Sequence, residues 1–272
     1  MPQIINTNIS SLNAQRNLDT SQSSLFTALQ RLSSGLRVNS SKDDAAGLAV
    51  AEKMNAQARG MTVAIRNAND GISLVQVAEA GMNVIGEHLQ RMRELAVQAA
   101  SGQYDSDNRS ALDTEYQELK SEIDRVISAT NFNQQPLLDG TFSAGVTFQV
   151  GPNSTPESQI IVSIAPVSVA AGFITGVDGS TALNEISVLD TAIDNINTNR
   201  ASLGAVQNRF EGVLTQLSAS RESTEAARSR IMDADYAAET AKLARAQVLQ
   251  QAGVAMLSQA NALPQNVLRL LQ

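Results

Sequence analysis

Apolar residues recur in alternating steps of four and three along three stretches of the chain, with polar residues between them. The stretches run from Ala78 to Ala99, from Leu112 to Val126 and from Ile186 to Leu217. This spacing places apolar side chains on one face of an α-helix and forms the a/d seam of a coiled coil. Three such seams predict a mainly α fold, a rod of long helices packed along their length. The first seam consists of Ala78, Met82, Ile85, Leu89, Met92, Ala96 and Ala99.

Two polar residues interrupt the third seam. Arg200 and Gln207 stand at positions where the pattern asks for apolar side chains. Buried polar residues at seam positions can fix the register of packed helices, and we interpret both residues in that way. In the alternative interpretation they lie at an exposed edge.

The pattern changes between residues 131 and 180. Turn signals such as Pro136, Asp139-Gly140 and Gly151-Pro152 bound two runs with alternating or β-branched residues, Val146–Val150 and Ile160–Ile164. These runs predict one or two small β-hairpins at the turning point of the chain. The predicted order is therefore long helices, a small β element, and a long helix that returns.

Both ends of the chain carry helical but sparse apolar stripes, separated by Ala, Gln, Ser and Asn. Neither stripe offsets the backbone entropy of about 1–2 kcal/mol per residue on its own, and isolated short helices are marginal in water. We therefore expect the ends to be poorly ordered in a free monomer and to become ordered by pairing with each other and with other copies of the chain. The candidate residues for this packing are Leu25, Leu29, Leu32, Leu249, Met256, Leu257, Leu263 and Leu270.

Composition and charge exclude several classes of protein. The net charge is -7 and no long basic run occurs, which argues against a nucleic-acid-binding protein. There is no Cys, so disulfides and thiolate metal sites are excluded. The sequence has no apolar stretch of 18 residues, so it predicts no transmembrane helix. The N-terminal residues do not have the pattern of a cleaved signal peptide.

The sequence contains no recognisable catalytic site and predicts no cofactor. His88 is the only histidine, and without a second His or a Cys we interpret it as a weakly packed or solvated side chain. Asp43-Asp44 and Asp233 with Asp235 precede helical stretches, where carboxylates cap the free backbone N–H groups. Phosphate-binding loops, HExxH helices and CxxC pairs are absent, so we expect a protein that is not an enzyme.

Several motifs resemble those of bacterial flagellins, in order and in spacing. The N-terminal half contains INTNISSLNAQRNL, QRLSSGLRVNSSKDDAAGLAV, NANDGIS and LQRMRELAVQAASG. The C-terminal half contains SLGAVQNRFE, ARSRIMDADYAAET and LARAQVLQQAGVAMLSQANALPQNVLRLL. The likeness covers nearly the whole chain apart from an expected exposed loop at about residues 154–181. The short central segment implies a form with only the two inner layers of the family.

The resemblance implies a subunit that self-assembles into the flagellar filament for swimming. Residues 1–45 and 236–272 would pair as the inner core of the filament, and residues 46–235 would form the surrounding helical rod. The chain would be secreted through the flagellar type III export apparatus, and an export chaperone would bind its C-terminal helix before export. Cap and hook-junction proteins of the flagellum would be further partners.

The resemblance also implies recognition by Toll-like receptor 5, an innate receptor of vertebrates. Flagellins that this receptor detects share a segment that matches Leu89–Leu95 here, and the contact positions fall on Arg91, Leu95 and Glu115. The same charged strip is otherwise typical of a solvated helix face stabilised by ion pairs one turn apart.

Two other functions remain as alternatives. A hook–filament junction protein shares the terminal helices but occurs in few copies. A secreted coiled-coil adaptor that binds a host protein would share the seams but would not form filaments of its own sequence.

Overall fold

The structure, a computed structural model, describes residues 7–175 and 180–269, with the backbone alone for 263–269. Its described helices and strands follow the order α1, α2, α3, β1, β2, β3, β4, α4, α5. The helices are α1 Ile9–Ser34, α2 Ala45–Ala99, α3 Ser106–Ala129, α4 Ser180–Met232 and α5 Tyr236–Arg269. The strands are β1 Asn131–Phe132, β2 Gln135–Pro136, β3 Val146–Gln149 and β4 Gln159–Val162.

The chain divides into two compact units. The terminal unit comprises Met1–Ala56 and Ser223–Gln272, and the central unit comprises Gln57–Glu222. Long helices and two small antiparallel strand pairs together confirm the predicted mainly α fold class.

The core of the central unit follows the seam that the sequence predicts on α2. All seven residues of that seam, from Ala78 to Ala99, have 0% of their surface exposed. Tyr116 and Ile123 of α3 and Leu189 of α4 belong to the same buried cluster. A stripe with a period of 3.5 residues is therefore enough to name the buried face of the Ala78–Ala99 part of this 55-residue helix.

Phe210 of α4 fixes the position of the β element against the helices. Its ring lies edge-on to Phe148 of β3, with centroids 5.7 Å apart. On the α2 side the ring faces Gly71, where an added Cβ would lie 2.6 Å from Phe210 Cζ. The contact therefore requires a residue without a side chain at position 71.

Arg200 lies at the edge of α4 rather than in the core, which corrects the register interpretation. Its side chain is 36% exposed, and its guanidinium lies 4.0 Å from the Glu79 carboxylate. Gln207 is half-buried and donates to Glu211 on its own helix at 3.2 Å. Long polar side chains can extend from a seam position into water. Neither residue therefore forms a buried polar contact between helices.

The structure has two hairpins in this region, where the sequence predicts one or two, and β3–β4 coincides with the two predicted runs. β1 and β2 are joined by Asn133 and Gln134, which have φ of 50° and 64° and so form a tight turn of the type that suits a two-residue hairpin. β3 pairs with β4 in the register Val146↔Val162 and Phe148↔Ile160. The strands end slightly before the predicted runs do, although the Val150 N–H still donates to Ser158 O at 2.8 Å in the same register.

Polar side chains of α3 and α4 hold the irregular segment 163–175 against the core by hydrogen bonds. The Glu185 carboxylate accepts from the Tyr116 hydroxyl at 3.0 Å and from the Gly172 N–H at 2.9 Å. Asp113 accepts from the Ile174 N–H at 2.9 Å. Ile174 is completely buried, so this part of the expected exposed loop belongs to the core instead.

Carboxylate side chains cap the N-termini of α2 and α5, as the sequence predicts. Asp44 accepts from the Gly47 N–H at 2.8 Å at the start of α2, and Asp235 accepts from the Ala237 N–H at 2.9 Å at the start of α5. Asp43 instead accepts from the N–H groups of Asn39 and Ser40, and these bonds lower the pKa of its carboxyl.

In the terminal unit, the turn that follows α1 is hydrogen-bonded to the break between α4 and α5. Gly35, with φ of 73°, ends α1, and its carbonyl accepts from the Ala234 N–H at 2.9 Å. The Arg37 N–H donates to Met232 O at 2.6 Å, at the break between α4 and α5. This short ladder ties the end of α1 to the start of α5.

The buried Tyr116 hydroxyl generates a prediction about alkaline pH. Removal from water, together with the negative charge of Glu185, raises the pKa of Tyr116. A tyrosine in the unfolded chain ionises at about pH 10, so the stability linked to the neutral phenol is complete below that pH and declines as the pH rises further. We expect Tyr116→Phe to cost about 1 kcal/mol at pH 7 through the lost hydrogen bond, yet to flatten the decline above pH 10.

Denaturant unfolding at a series of pH values measures this effect. The exposed Tyr236→Phe serves as the matched control and should keep the alkaline decline of the wild type. Parallel alkaline declines in Tyr116→Phe and wild type would contradict the assignment.

Candidate assembly surface

Helices α1 and α5 pair in an antiparallel arrangement. Near the start of α1, the Asn8 side-chain amide donates to Ala260 O at 2.8 Å. At the other end of the pair, the Arg31 guanidinium lies 3.3 Å from the Glu239 carboxylate. The predicted pairing of the N- and C-terminal helices is therefore confirmed.

The facing positions of the two helices recur in steps of three and four, although many of their side chains are small. An added Cβ on Gly253 would lie 3.1 Å from Leu18 Cδ1, so the helices approach closely. We call these positions the terminal seam. Its α1 members are Ser11, Ala14, Leu18, Ser21, Leu25, Ala28 and Leu32; its α5 members are Glu239, Leu243, Ala246, Gln250, Gly253, Leu257 and Ala260. Ser, Ala and Gly carry little hydrophobic signal, which is why the sequence pattern did not reveal the seam.

Glu239 is a charged residue inside the terminal seam. It is 4% exposed, and its carboxylate lies 2.8 Å from the Lys242 ammonium as well as near Arg31. These cations, Lys242 first, lower the pKa of the Glu239 carboxyl. The stabilisation is present above the ordinary carboxyl pKa of about 4.3 and is lost as the pH falls through the lowered value.

Large apolar side chains remain on the outer faces of the pair. Their exposed fractions lie between 44% and 66%, although monomeric proteins rarely leave so many large apolar groups on one small element. The exposed set of α1 and α5 comprises Ile9, Leu12, Phe26, Leu29, Tyr236, Val248, Leu249, Val254 and Met256. We call this set the terminal apolar surface.

The predicted packing residues divide between the two surfaces. Leu25, Leu32 and Leu257 are half-buried in the terminal seam, within one chain. Leu29, Leu249 and Met256 belong instead to the terminal apolar surface. The side chain of Leu263 and the whole of Leu270 lie outside the described residues. In the sequence, Leu249, Met256, Leu263 and Leu270 follow at intervals of seven, so a regular helix would carry them in one stripe.

The predicted receptor residues are held by ion pairs and by the core. Arg91 of α2 donates to Glu115 of α3 at 2.9 Å and to Glu94 at 3.0 Å, and all three side chains are exposed. Leu95 is only 1% exposed and packs in the core. A partner of the folded chain can therefore touch Arg91 and Glu115, whereas Leu95 supports the helix beneath them.

The described residues contain no group of three metal-ligating side chains, and none of the described helices is long and apolar enough to cross a membrane. His88 is half-buried beside the core residue Leu89.

Two family models match this architecture at both ends of the chain. The bacterial flagellin N-terminal helical region matches residues 5–143, and the bacterial flagellin C-terminal helical region matches residues 186–271. The chain belongs to the bacterial flagellin family. The N-terminal match contains α1 and the C-terminal match contains α5, so both helices of the terminal seam lie within the matched regions.

Whole-length relatives support the same assignment. The chain is 43% identical to a flagellin of Halalkalibacterium halodurans over 274 residues, with 99% of this chain and 100% of the relative covered. It is 40% identical to the flagellar filament 33 kDa core protein of Treponema phagedenis, at 99% and 100% coverage. The agreement in length with these relatives identifies a short form without a variable outer domain.

Solved structures agree with the fold. The crystal structure of Bacillus cereus flagellin is 33% identical, with a TM-score of 0.50, and covers 56% of this chain and 88% of that one. A putative flagellar hook-associated protein from Vibrio parahaemolyticus has a TM-score of 0.60 at 12% identity, covering 70% of this chain and 100% of that one. That second likeness concerns the fold alone. The chain is accordingly a structural subunit that polymerises with copies of itself into the flagellar filament.

The division of packing residues between the terminal seam and the terminal apolar surface leads to a prediction. Met256→Asp places a charge on the terminal apolar surface and should raise the critical concentration for polymerisation at least about tenfold, because the carboxylate loses water on assembly. The neighbouring Leu257→Asp should weaken polymerisation and also the pairing of α1 with α5. Neither change should alter the melting of the central unit.

Light-scattering assays on seeds and circular dichroism of the monomer measure the two effects separately. Gln247→Asp, an exposed polar position of α5, is the matched control for added charge. A critical concentration that Met256→Asp leaves unchanged would exclude this surface from assembly.

Proposed function

We propose that the terminal helices form the inner core of an extracellular filament and that the chain has no catalytic role. In this proposal residues 1–45 and 236–272 build the core, and residues 46–235 form the surrounding layer. The observation that carries the proposal is the terminal apolar surface, which the fold of a single chain leaves in water. A homopolymer removes that surface from water by placing identical pairs side by side.

The magnitudes support assembly through this surface. Nine large side chains that are already partly covered contribute about 1 kcal/mol each when they are buried further. The sum is of the same order as the cost of immobilising a subunit, about 4–15 kcal/mol. Polymerisation is then favourable but reversible for a subunit with several neighbours.

The terminal seam supports the expectation that the ends depend on assembly for order. Small side chains at most of its positions bury little apolar area, so the pair contributes little stability to the monomer. A chain without cysteine and with weakly folding ends suits passage in an unfolded state through a type III export apparatus. An export chaperone that covers α5, and cap and hook-junction proteins at the ends of the filament, complete the proposed partners.

Deletion of residues 237–272 tests the proposal. The deletion removes the partner of α1, so we expect a soluble helical monomer whose central unit melts as in the full chain but which does not polymerise on seeds. Electron microscopy of seeded samples measures the outcome, with the full chain as control. Long filaments from the truncated protein would refute the role of α5. Failure of the full chain to extend seeds would favour a junction or adaptor protein.

We also propose that the monomer activates Toll-like receptor 5 through the exposed Arg91 and Glu115. Both groups lie on adjacent helices and hold each other in place, which presents a fixed charged surface to a partner. The buried Leu95 contributes by supporting α2 rather than by contact.

Arg91→Ala should reduce receptor activation by about tenfold or more, because an arginine at the centre of an interface often carries much of the binding energy. Exposed ion pairs contribute only about 0–1 kcal/mol to folding, so the variant should remain folded. A dose–response assay in reporter cells measures the effect. The control is Arg228→Ala, which removes a comparable exposed ion pair with Glu225 in the terminal unit. Equal responses from Arg91→Ala and wild type would exclude Arg91.

A further inference from the structure

A groove of about 520 Å³ runs along the side of the α1–α5 pair. One wall is formed by hydroxyl residues of α1, among them Thr20, Ser24 and Thr27. The other wall is formed by α5 and includes Lys242, Arg245 and Leu249. We call it the terminal groove. Leu249 also belongs to the terminal apolar surface, so the groove and that surface are continuous.

Most donors of the hydroxyl wall are already satisfied; Ser23 is its one hydroxyl with no hydrogen bond among the described residues. Thr20 donates to Arg16 O at 2.9 Å, Ser24 to Thr20 O at 3.0 Å, and Thr27 to Ser23 O at 3.0 Å. Each of these three hydroxyls thus satisfies its donor on its own helix. Because unpaired buried donors are the main cost of covering a polar wall, a dry occupant of the groove is tolerated.

On the opposite wall, one cation has no partner among the residues that the structure describes. Lys242 pairs with Glu239 at 2.8 Å, and Arg31 reaches the same carboxylate at 3.3 Å. Among the described residues, nothing forms an ion pair or a hydrogen bond with the exposed Arg245. An occupant that covers this wall therefore has to bring an acidic group, since an unpaired buried charge is costly.

The outer face of α1 carries a matching ridge. Leu12, Asp19 and Phe26 follow at intervals of seven, with Leu12 51% and Phe26 62% exposed. Asp19 and Glu239 are the two acidic residues of α1 and α5. Glu239 is already used inside the seam, whereas Asp19 is exposed and forms no ion pair within the described part of the chain. The ridge presents an acid between two apolar side chains.

We propose that this ridge of a second copy occupies the terminal groove, with Asp19 of that copy paired to Arg245. Subunits of a helical polymer point in the same direction, so α1 of one copy runs antiparallel to α5 of its neighbour, as it does within one chain.

Heptad spacing then sets the register. A side chain that packs as a knob enters a hole formed by positions i, i+3, i+4 and i+7. Asp19 enters the hole formed by Lys242, Arg245, Ala246 and Leu249. Leu12, seven residues earlier, enters the next hole, formed by Leu249, Ala252, Gly253 and Met256. One antiparallel register thus places the acid beside Arg245 and the leucine among apolar or small side chains. Phe26, seven residues after Asp19, then lies at the start of α5 beside Ala238, Glu239 and the stem of Lys242.

Charge exchange tests the pairing. Asp19→Arg and Arg245→Asp should each raise the critical concentration for polymerisation about tenfold or more, since each leaves like charges facing one another. The double variant restores opposite charges and should return to within about threefold of wild type. Arg16→Asp, a charge reversal on α1 outside the ridge, is the control and should have a smaller effect. A double variant that assembles no better than the single variants would overturn the pairing.

Cross-linking gives an independent readout, because the chain has no native cysteine. Filaments of Asp19→Cys/Arg245→Cys, in which both charges are removed together, should form a ladder of covalent multimers on oxidation. Asp19→Cys/Val248→Cys places the second thiol three residues further along α5 and should form little ladder.

The possible results separate the pairing from assembly itself. Normal filaments with only an internal disulfide, or with equal ladders from both variants, would refute the proposed register while leaving polymerisation intact. Failure of the wild-type chain to extend seeds would count against self-assembly.

Discussion

The constraint on which this structure depends is that two paired helices can bury only one face each. In the terminal unit, α1 and α5 meet across a seam rich in serine, alanine and glycine, so they approach closely but bury little apolar area. Leu249 and Met256 are left in water, as are the other large apolar side chains on the outer faces. A third and a fourth helix would be needed to cover them, and in our proposal further copies of the same chain supply those helices in the filament.

The central unit meets the same constraint within one chain. There α2, α3 and α4 enclose a continuous core, and the β element covers the part that three helices leave open. Phe210 joins these layers because its ring packs against both Gly71 and Phe148. Glu185, Tyr116 and Asp113 then hold the irregular segment in place by hydrogen bonds. The two units thus differ in how far a single copy completes its own core.

This difference matches the function of a filament subunit. The central unit has a closed core, while in our proposal the open terminal helices keep their apolar surface for neighbours. The charged groups follow the same division. Arg91 and Glu115 pair with each other on the exposed face of the central unit, whereas Asp19 and Arg245 form no ion pair with any described residue.

The sequence by itself determined the helical class, the buried face of the Ala78–Ala99 part of α2, the β3–β4 hairpin, and the helix caps at Asp44 and Asp235. Each depends on local rules: the helical repeat, turn residues and free N–H groups at helix ends. Only the tertiary structure decided that Leu95 is buried, that Arg200 lies at an edge, and that Leu257 and Met256 belong to different surfaces. Those properties depend on which neighbouring element covers a given side of a helix. Small residues such as Ala28 and Gly253 allow the helices to approach closely. A hydrophobic pattern does not record such a contact, because these residues have little or no apolar side chain.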